Sequence, residues 1–331
     1  MPVLVKINFS TVMEDKEKKN VVSAGDNLTD YMETVIADLE KEGKFPAAHV
    51  YRSVLRSFTR FWNTPVSMRS DPTSVPNVLA PIQDVFTPER LKEYETWLTE
   101  CECSPNTIST YMRTLQAVYN RWMPPGMVNY NPILFKELYT KVESRTKRAL
   151  TAGQMRQLET TEFCALSLPQ QRVLACFMLM FMLRGMPFID LAHLRKQNLQ
   201  GRRIVYRRHK TGKLMVVDVP PDAFRLLQKY RNRAESEYLF PILNEASPGK
   251  ERYHLYQDTL RRFNRELARL MKKLLPGVSV SSYTARHTWA TLAYHSGTPL
   301  GLISQSLGHS SIRVTMSYLK PVSYTHLRAH E

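Results

Sequence analysis

The chain has 331 residues, 46 Lys+Arg against 30 Asp+Glu, and a formal net charge of +16. At about 150 residues per domain the length suggests two domains, and 43% apolar with 10% aromatic residues supplies real cores, which excludes wholesale disorder. The longest apolar run (173–183) is too short for a membrane span, no secretory leader is evident, and Cys101, Cys103, Cys164 and Cys176 form neither a zinc spacing nor a disulfide framework, so an intracellular protein with a polyanionic partner is expected.

Residues 1–25 are mixed, with a charge run at 14–19, and read as an N-terminal arm. From Asn27 a helical period begins: Leu28, Tyr31, Met32, Val35, Ile36 and Leu39 form one stripe, stopped by Gly43. A second helix over 47–62 turns Tyr51, Val54, Leu55, Phe58 and Trp62 to one side and repeats Arg52, Arg56 and Arg60 every fourth residue as a basic ridge. Solvated arginines and phosphate contacts explain so short a ridge equally well. Residues 64–84 hold four prolines and read as a loop. The third helix starts at Thr87-Pro88-Glu89 with Leu91, Tyr94 and Leu98 on one face. In the fourth, Ser104 is the N-cap and Pro105 the first helical residue, followed by Ile108, Tyr111, Met112, Leu115, Val118, Tyr119 and Trp122. Residues 26–125 are thus a small helical domain closed by Pro124-Pro125-Gly126, and 126–146 a linker with room for a docked helix near 135–142.

The second domain, 147–320, opens with a helix at 151–160 capped by Thr151. The helix 172–183 is apolar all round and must be central. A hairpin pairs 203–208 with 214–219, turned through Lys210-Thr211-Gly212-Lys213. Helices follow at 222–234, 255–275, 283–296, 300–307 and 312–319, so the fold class is mostly α with a small antiparallel β-sheet. The charge is polarised: residues 1–125 carry 14 basic and 16 acidic side chains, and residues 126–331 carry 32 and 14. Such asymmetry favours nucleic acid over an anionic membrane. The helix 255–275 carries Arg261, Arg262, Arg265 and Arg269 opposite Leu260, Phe263, Leu267 and Leu270, a face suited to a DNA backbone.

Chemistry in this domain is cationic and phenolic. Asp190 is the only acidic residue between Glu162 and Asp218, and none lies between Glu266 and Glu331, so the clustered carboxylates of two-metal phosphodiester chemistry are missing, as is a glycine-rich phosphate loop. Arg184, Lys210, Arg286, His309, Tyr283 and Tyr318 remain. Arginines clamp phosphates, lysine or histidine moves protons, and tyrosine can be a covalent nucleophile. This inventory suits metal-free phosphoryl transfer on nucleic acid.

Four stretches resemble the tyrosine recombinases, the phage-integrase family, in order along the chain. They are Leu183-Arg184-Gly185-Met186-Pro187-Phe188-Ile189-Asp190-Leu191, His209-Lys210-Thr211-Gly212-Lys213, Tyr283-Thr284-Ala285-Arg286-His287, and Leu307-Gly308-His309 followed by Thr315-Met316-Ser317-Tyr318-Leu319. The first is similar to integrases of mobile elements, and the helices around Ser104-Pro105-Asn106-Thr107-Ile108 resemble the family's SAM-like core-binding domain. The resemblance implies that Tyr318 attacks the scissile phosphorus to leave a 3′-phosphotyrosyl link. Arg184 and Arg286 would hold nonbridging oxygens, Lys210 would protonate the leaving 5′-oxygen, and His309 would bind the phosphate or assist the phenol. Lys210 is chosen over Lys213 on family position. The resemblance also implies no cofactor and neither ATP nor metal. It implies a homotetramer on paired duplex sites, clamped by the two domains, with room for accessory DNA-bending or excision factors and a nucleoid-associated cytoplasmic location.

Two positions depart from the family. Tyr283 stands where histidine is usual, three residues before Arg286, and suits orienting a phosphate or phenol better than shuttling protons. The usual first arginine lies three residues before the acidic residue; Pro187 is there and Arg184 stands three further upstream, where a buried arginine paired with Asp190 is the alternative. Residues 321–331 resemble a non-native end and receive no role. The rival functions are a type IB topoisomerase-like relaxation of DNA and a non-catalytic DNA-binding relative.

Overall fold

The computed structural model describes residues 27–64, 80–141, 149–243 and 249–319, so the expected arm and tail lie outside the described residues. The chain divides into two compact units, Met1–Glu143 and Ser144–Glu331.

The first unit contains α1 (Leu28–Lys41), α2 (Phe45–Asn63), the single turn α3 (Ile82–Val85), α4 (Pro88–Glu100) and α5 (Pro105–Trp122). Side-chain caps set three of these starts: Asn27, Thr87 and Ser104 each accept a hydrogen bond from the backbone N–H three residues on. The apolar stripes meet in one core around Met32, Val54, Phe58, Leu91, Tyr94, Met112 and Leu115. The expected linker departs from the sequence reading. Residues beyond Gly126 form turns rather than a helix, yet Leu134, Phe135 and Leu138 are buried in this core and the Tyr139 N–H donates to the buried Glu95 carboxylate at 2.6 Å. Three large apolar side chains leave water here, so 126–141 packs as part of the first unit.

The second unit runs α6 (Ala152–Glu159), α7 (Leu168–Met182), α8 (Phe188–His193), β1 (Leu199–Gln200), β2 (Arg203–Arg207), β3 (Leu214–Asp218), α9 (Pro221–Tyr230), α10 (Gly249–Leu274), α11 (Ser282–His295), α12 (Leu300–Leu307) and α13 (Ile312–Met316). The three strands form an antiparallel sheet in chain order, with β2 facing β3 from Arg203 opposite Asp218 to Arg207 opposite Leu214. α7 is central: Leu174, Phe177, Leu179 and Met180 are fully buried, and α9, α10 and α11 pack around it. It starts four residues before the expected 172 because Ser167 and Pro169 provide a start signal that periodicity alone misses. β1 and α8 were absent from the sequence reading, being too short to show a period. Among the described residues no helix is long and apolar enough to cross a membrane.

Candidate active site

The site grows from the junction of the α7–α8 turn, the β2–β3 hairpin, α11, and the α12–α13 turn. α7 does not run on through residue 184. Arg184 and Gly185 both adopt left-handed backbone angles, φ 59° and 66°, and Pro187 precedes α8. Gly185 is required there, since a Cβ would come 3.1 Å from the Arg286 Cα on α11. Its carbonyl accepts from Arg286 Nη1 at 2.9 Å.

Arg286 is the largest fully buried side chain, 2% exposed. Its Nη2 donates to the Leu307 carbonyl and, at 3.0 Å, to His309 Nε2. A guanidinium only donates, so Nε2 is the acceptor, and the imidazole carries its proton on Nδ1, which donates to Thr315 Oγ1 at 2.9 Å. Burial, followed by the charges of Arg286, Arg208, Lys210 and Lys213, lowers the His309 pKa to about 3, so the ring is neutral. Gly308 turns the chain between α12 and this histidine at φ 65°, and a Cβ on it would meet Met215 Sδ at 2.9 Å.

Tyr318 follows α13 and lies over these groups. The Arg286 guanidinium carbon is 5.5 Å from its ring centre and the His309 ring 4.6 Å. Its hydroxyl hydrogen-bonds the Tyr283 hydroxyl from α11. Burial, then that hydrogen bond, pushes the Tyr283 phenol above its ordinary value. His287 Nδ1 contacts the Tyr318 carbonyl at 3.1 Å and so anchors its backbone. Lys210 is exposed on the hairpin tip, with its charge felt at His309.

Arg184 does not join this cluster. Its Nη2 reaches Asp218 Oδ2 at 3.4 Å, on an exposed carboxylate that Arg203 also engages at 2.9 Å. Asp218 is at the end of β3 away from the hairpin tip, about 13 Å of strand from Leu214. In its stead the structure brings in Arg208, which the sequence reading missed. Arg208 is 7% exposed; its Nη1 donates to the Gly308 carbonyl at 2.8 Å, and its Nε lies 3.8 Å from Asp190 Oδ2. The signal was available: Ile204 and Tyr206 face inward, and strand alternation carries that face to Arg208. Thr315, fully buried, was also missed.

The basic ridges divide in the same way. On α2, Arg52 is bound to Glu40 at 2.6 Å, whereas Arg56 and Arg60 are exposed. On α10, Arg261, Arg262, Arg265 and Arg269 are all exposed, three of them beside acidic side chains of the same helix, Asp258 and Glu266. Among the described residues no three His, Cys, Asp or Glu side chains gather as a metal site.

Comparison with known proteins gives this geometry its relatives. Residues 27–138 match the Phage integrase SAM-like domain and residues 148–323 the Phage integrase family. A curated "Tyrosine recombinase XerC-like" protein of Caldanaerobacter subterraneus subsp. tengcongensis is 24% identical over 275 residues, 72% of this chain and 66% of that protein's length, just under two thirds of it. Among solved structures, a lambda integrase tetramer bound to a Holliday junction aligns with TM-score 0.60 and 16% identity over 93% of this chain and 80% of that one. The Tn1549 transposon integrase in complex with a circular intermediate DNA aligns with TM-score 0.56 and 16% identity over 92% and 98%. The XerH site-specific recombinase bound to difH substrate aligns with TM-score 0.55 and 15% identity over 85% and 77%. At such identities the structural likeness is one of fold; the sequence match over more than half of the chain goes further, and this protein belongs to the phage integrase family.

Proposed function

We propose that the protein is a site-specific tyrosine recombinase that cuts and rejoins duplex DNA for integration or excision of a mobile element. The observation that carries this reading is the phenol of Tyr318, set against a buried guanidinium and a neutral imidazole and hydrogen-bonded to a second phenol. In the proposed step Tyr318 Oη forms a bond to the scissile phosphorus while the bond to the 5′-oxygen breaks. The phenolic proton leaves to solvent and Lys210 gives one to the departing oxygen, so protons balance. Arg286 stabilises the charge building on a nonbridging oxygen, where it is preorganised by two carbonyls and His309. Tyr283 orients the attacking phenol. The phosphodiester energy is held in the tyrosyl ester, so religation needs no ATP. The exposed arginines of α10 and Arg56 and Arg60 of α2 would grip the backbone. Relatives captured as a tetramer on a junction or bound to DNA support a homotetramer working on paired duplex sites.

The test is a library of nicked, sequence-randomised duplexes from which covalent adducts are captured in detergent. Wild type is expected to trap DNA through a phosphotyrosyl bond, and Tyr318→Phe to trap none. Equal trapping by the two would refute the nucleophile, relaxation of supercoils without strand exchange would favour a topoisomerase-like activity, and no adduct with retained DNA binding would favour a binding protein.

A further inference from the structure

We infer that Arg208, the residue that follows β2, is the second guanidinium that holds the scissile phosphate beside Arg286. Arg208 and Arg286 are both buried, and burial followed by the neighbouring charge of Arg208 lowers the Arg286 pKa, so the two cations are close enough to repel. Among the described residues, the one carboxylate acting on both is Asp190. It is fully engaged with neither: its Oδ1 accepts from the His209 N–H at 2.9 Å, and its Oδ2 makes no hydrogen bond. His309 beside them is neutral. The pocket therefore holds one buried positive charge in excess, an arrangement that burial disfavours until an anion enters. A phosphodiester carries one negative charge, and its pentavalent transition state carries more.

The donors are also in surplus. Nε of Arg208 and Nε of Arg286 are both buried without a hydrogen-bond partner. Each guanidinium is meanwhile fixed to one of two consecutive carbonyls, Leu307 for Arg286 and Gly308 for Arg208, at the negative end of α12. Two forks pinned side by side, each with an unused N–H, are built for bidentate grip on one tetrahedral anion. Arg208 also sits at the root of the turn that carries Lys210: its carbonyl accepts from the N–H groups of Thr211 and Gly212. The hairpin thus delivers the phosphate clamp and the proton donor together, and Arg184, occupied at Asp218, is released from the role its sequence position suggests.

Two measurements test this, and only the second rests on the recombinase reading. In the first, inorganic phosphate is titrated against chloride of equal ionic strength while thermal unfolding is followed. Phosphate is expected to raise Tm for wild type and Arg184→Ala, and to lose that effect in Arg208→Met and Arg286→Met. A phosphate effect that survives Arg208→Met, or is absent from wild type, overturns the assignment. In the second, Arg208→Met is expected to lower adduct yield on the nicked library by about 10²-fold, at least tenfold more than Arg184→Ala. A methylphosphonate at the scissile position, which removes the nonbridging charge, should recover most of the loss, which a folding defect or a merely structural clamp would not allow. An adduct that depends on Tyr318 but not on Arg208 refutes this inference and leaves the recombinase reading standing. A phosphate effect that requires Arg208 in a protein that never forms an adduct does the reverse.

Discussion

His309 shows how much of this site is decided by one hydrogen bond. Arg286 forces its Nε2 to accept and Thr315 receives the Nδ1 proton, so protonating the ring would break the first contact and put a third cation beside two others. Its pKa lies near 3 folded and 6.5 in the unfolded chain. The unfolded state therefore binds the extra proton first as pH falls, and stability contributed by the neutral ring is complete above 6.5 and lost on the way down to 3. Wild type should lose about 1.4 kcal/mol from this group between about pH 7.5 and 5.5 in urea titrations, a loss that His309→Gln removes. Gly308 offers a second residue-scale prediction. Alanine there meets both a left-handed backbone and Met215, whereas Gly212, also left-handed, has open space around it. Gly308→Ala should cost at least ~1–3 kcal/mol by the same titrations, visibly more than Gly212→Ala. Tyr318 and Arg286 could be singled out in the sequence because their motifs resemble the family's, and Lys210 by family position alone. Arg208 was passed over because a basic run reads as solvated surface unless the alternation of the strand is followed to its end.

At the scale of elements, apolar period located the long helices and caps located their starts, since both act within a few residues. Thr151, the cap expected from the sequence, accepts from the Gln154 N–H, and the Gln154 side chain accepts from the Thr151 N–H in return. Thr151→Ala should cost about 1 kcal/mol of stability in denaturant titration. What failed were elements shorter than a period, α8 and β1, and the turn between α7 and α8, where two left-handed residues redirect the chain. α10 is the element that most invites a binding test: its arginines are exposed, three beside same-helix carboxylates in pairs worth little in water and Arg262 against Thr259. Arg262→Ala with Arg265→Ala should reduce the slope of log affinity against log salt by about 2 while leaving adduct chemistry on saturating DNA intact. Arg52→Ala should change the slope less than Arg56→Ala, since Glu40 already neutralises Arg52.

Across the whole molecule the surplus of +16 belongs to residues 126–331, and residues 1–125 are slightly acidic. That distribution, the helical class and the two-unit organisation follow from composition, periodicity and caps, all of which are local, and so the sequence by itself determined them together with the order of the family's motifs. Tertiary structure alone decided which charges are solvated and which are trapped. Half-buried Arg184 pairs with an exposed carboxylate, while Arg208 and Arg286, more than 70 residues apart in the chain, are buried near one aspartate. The reason is dielectric: a charge in water is screened wherever it stands in the sequence, but a buried one is defined by its neighbours, and neighbours are assigned only when β2, α11 and the α12–α13 turn close on one another.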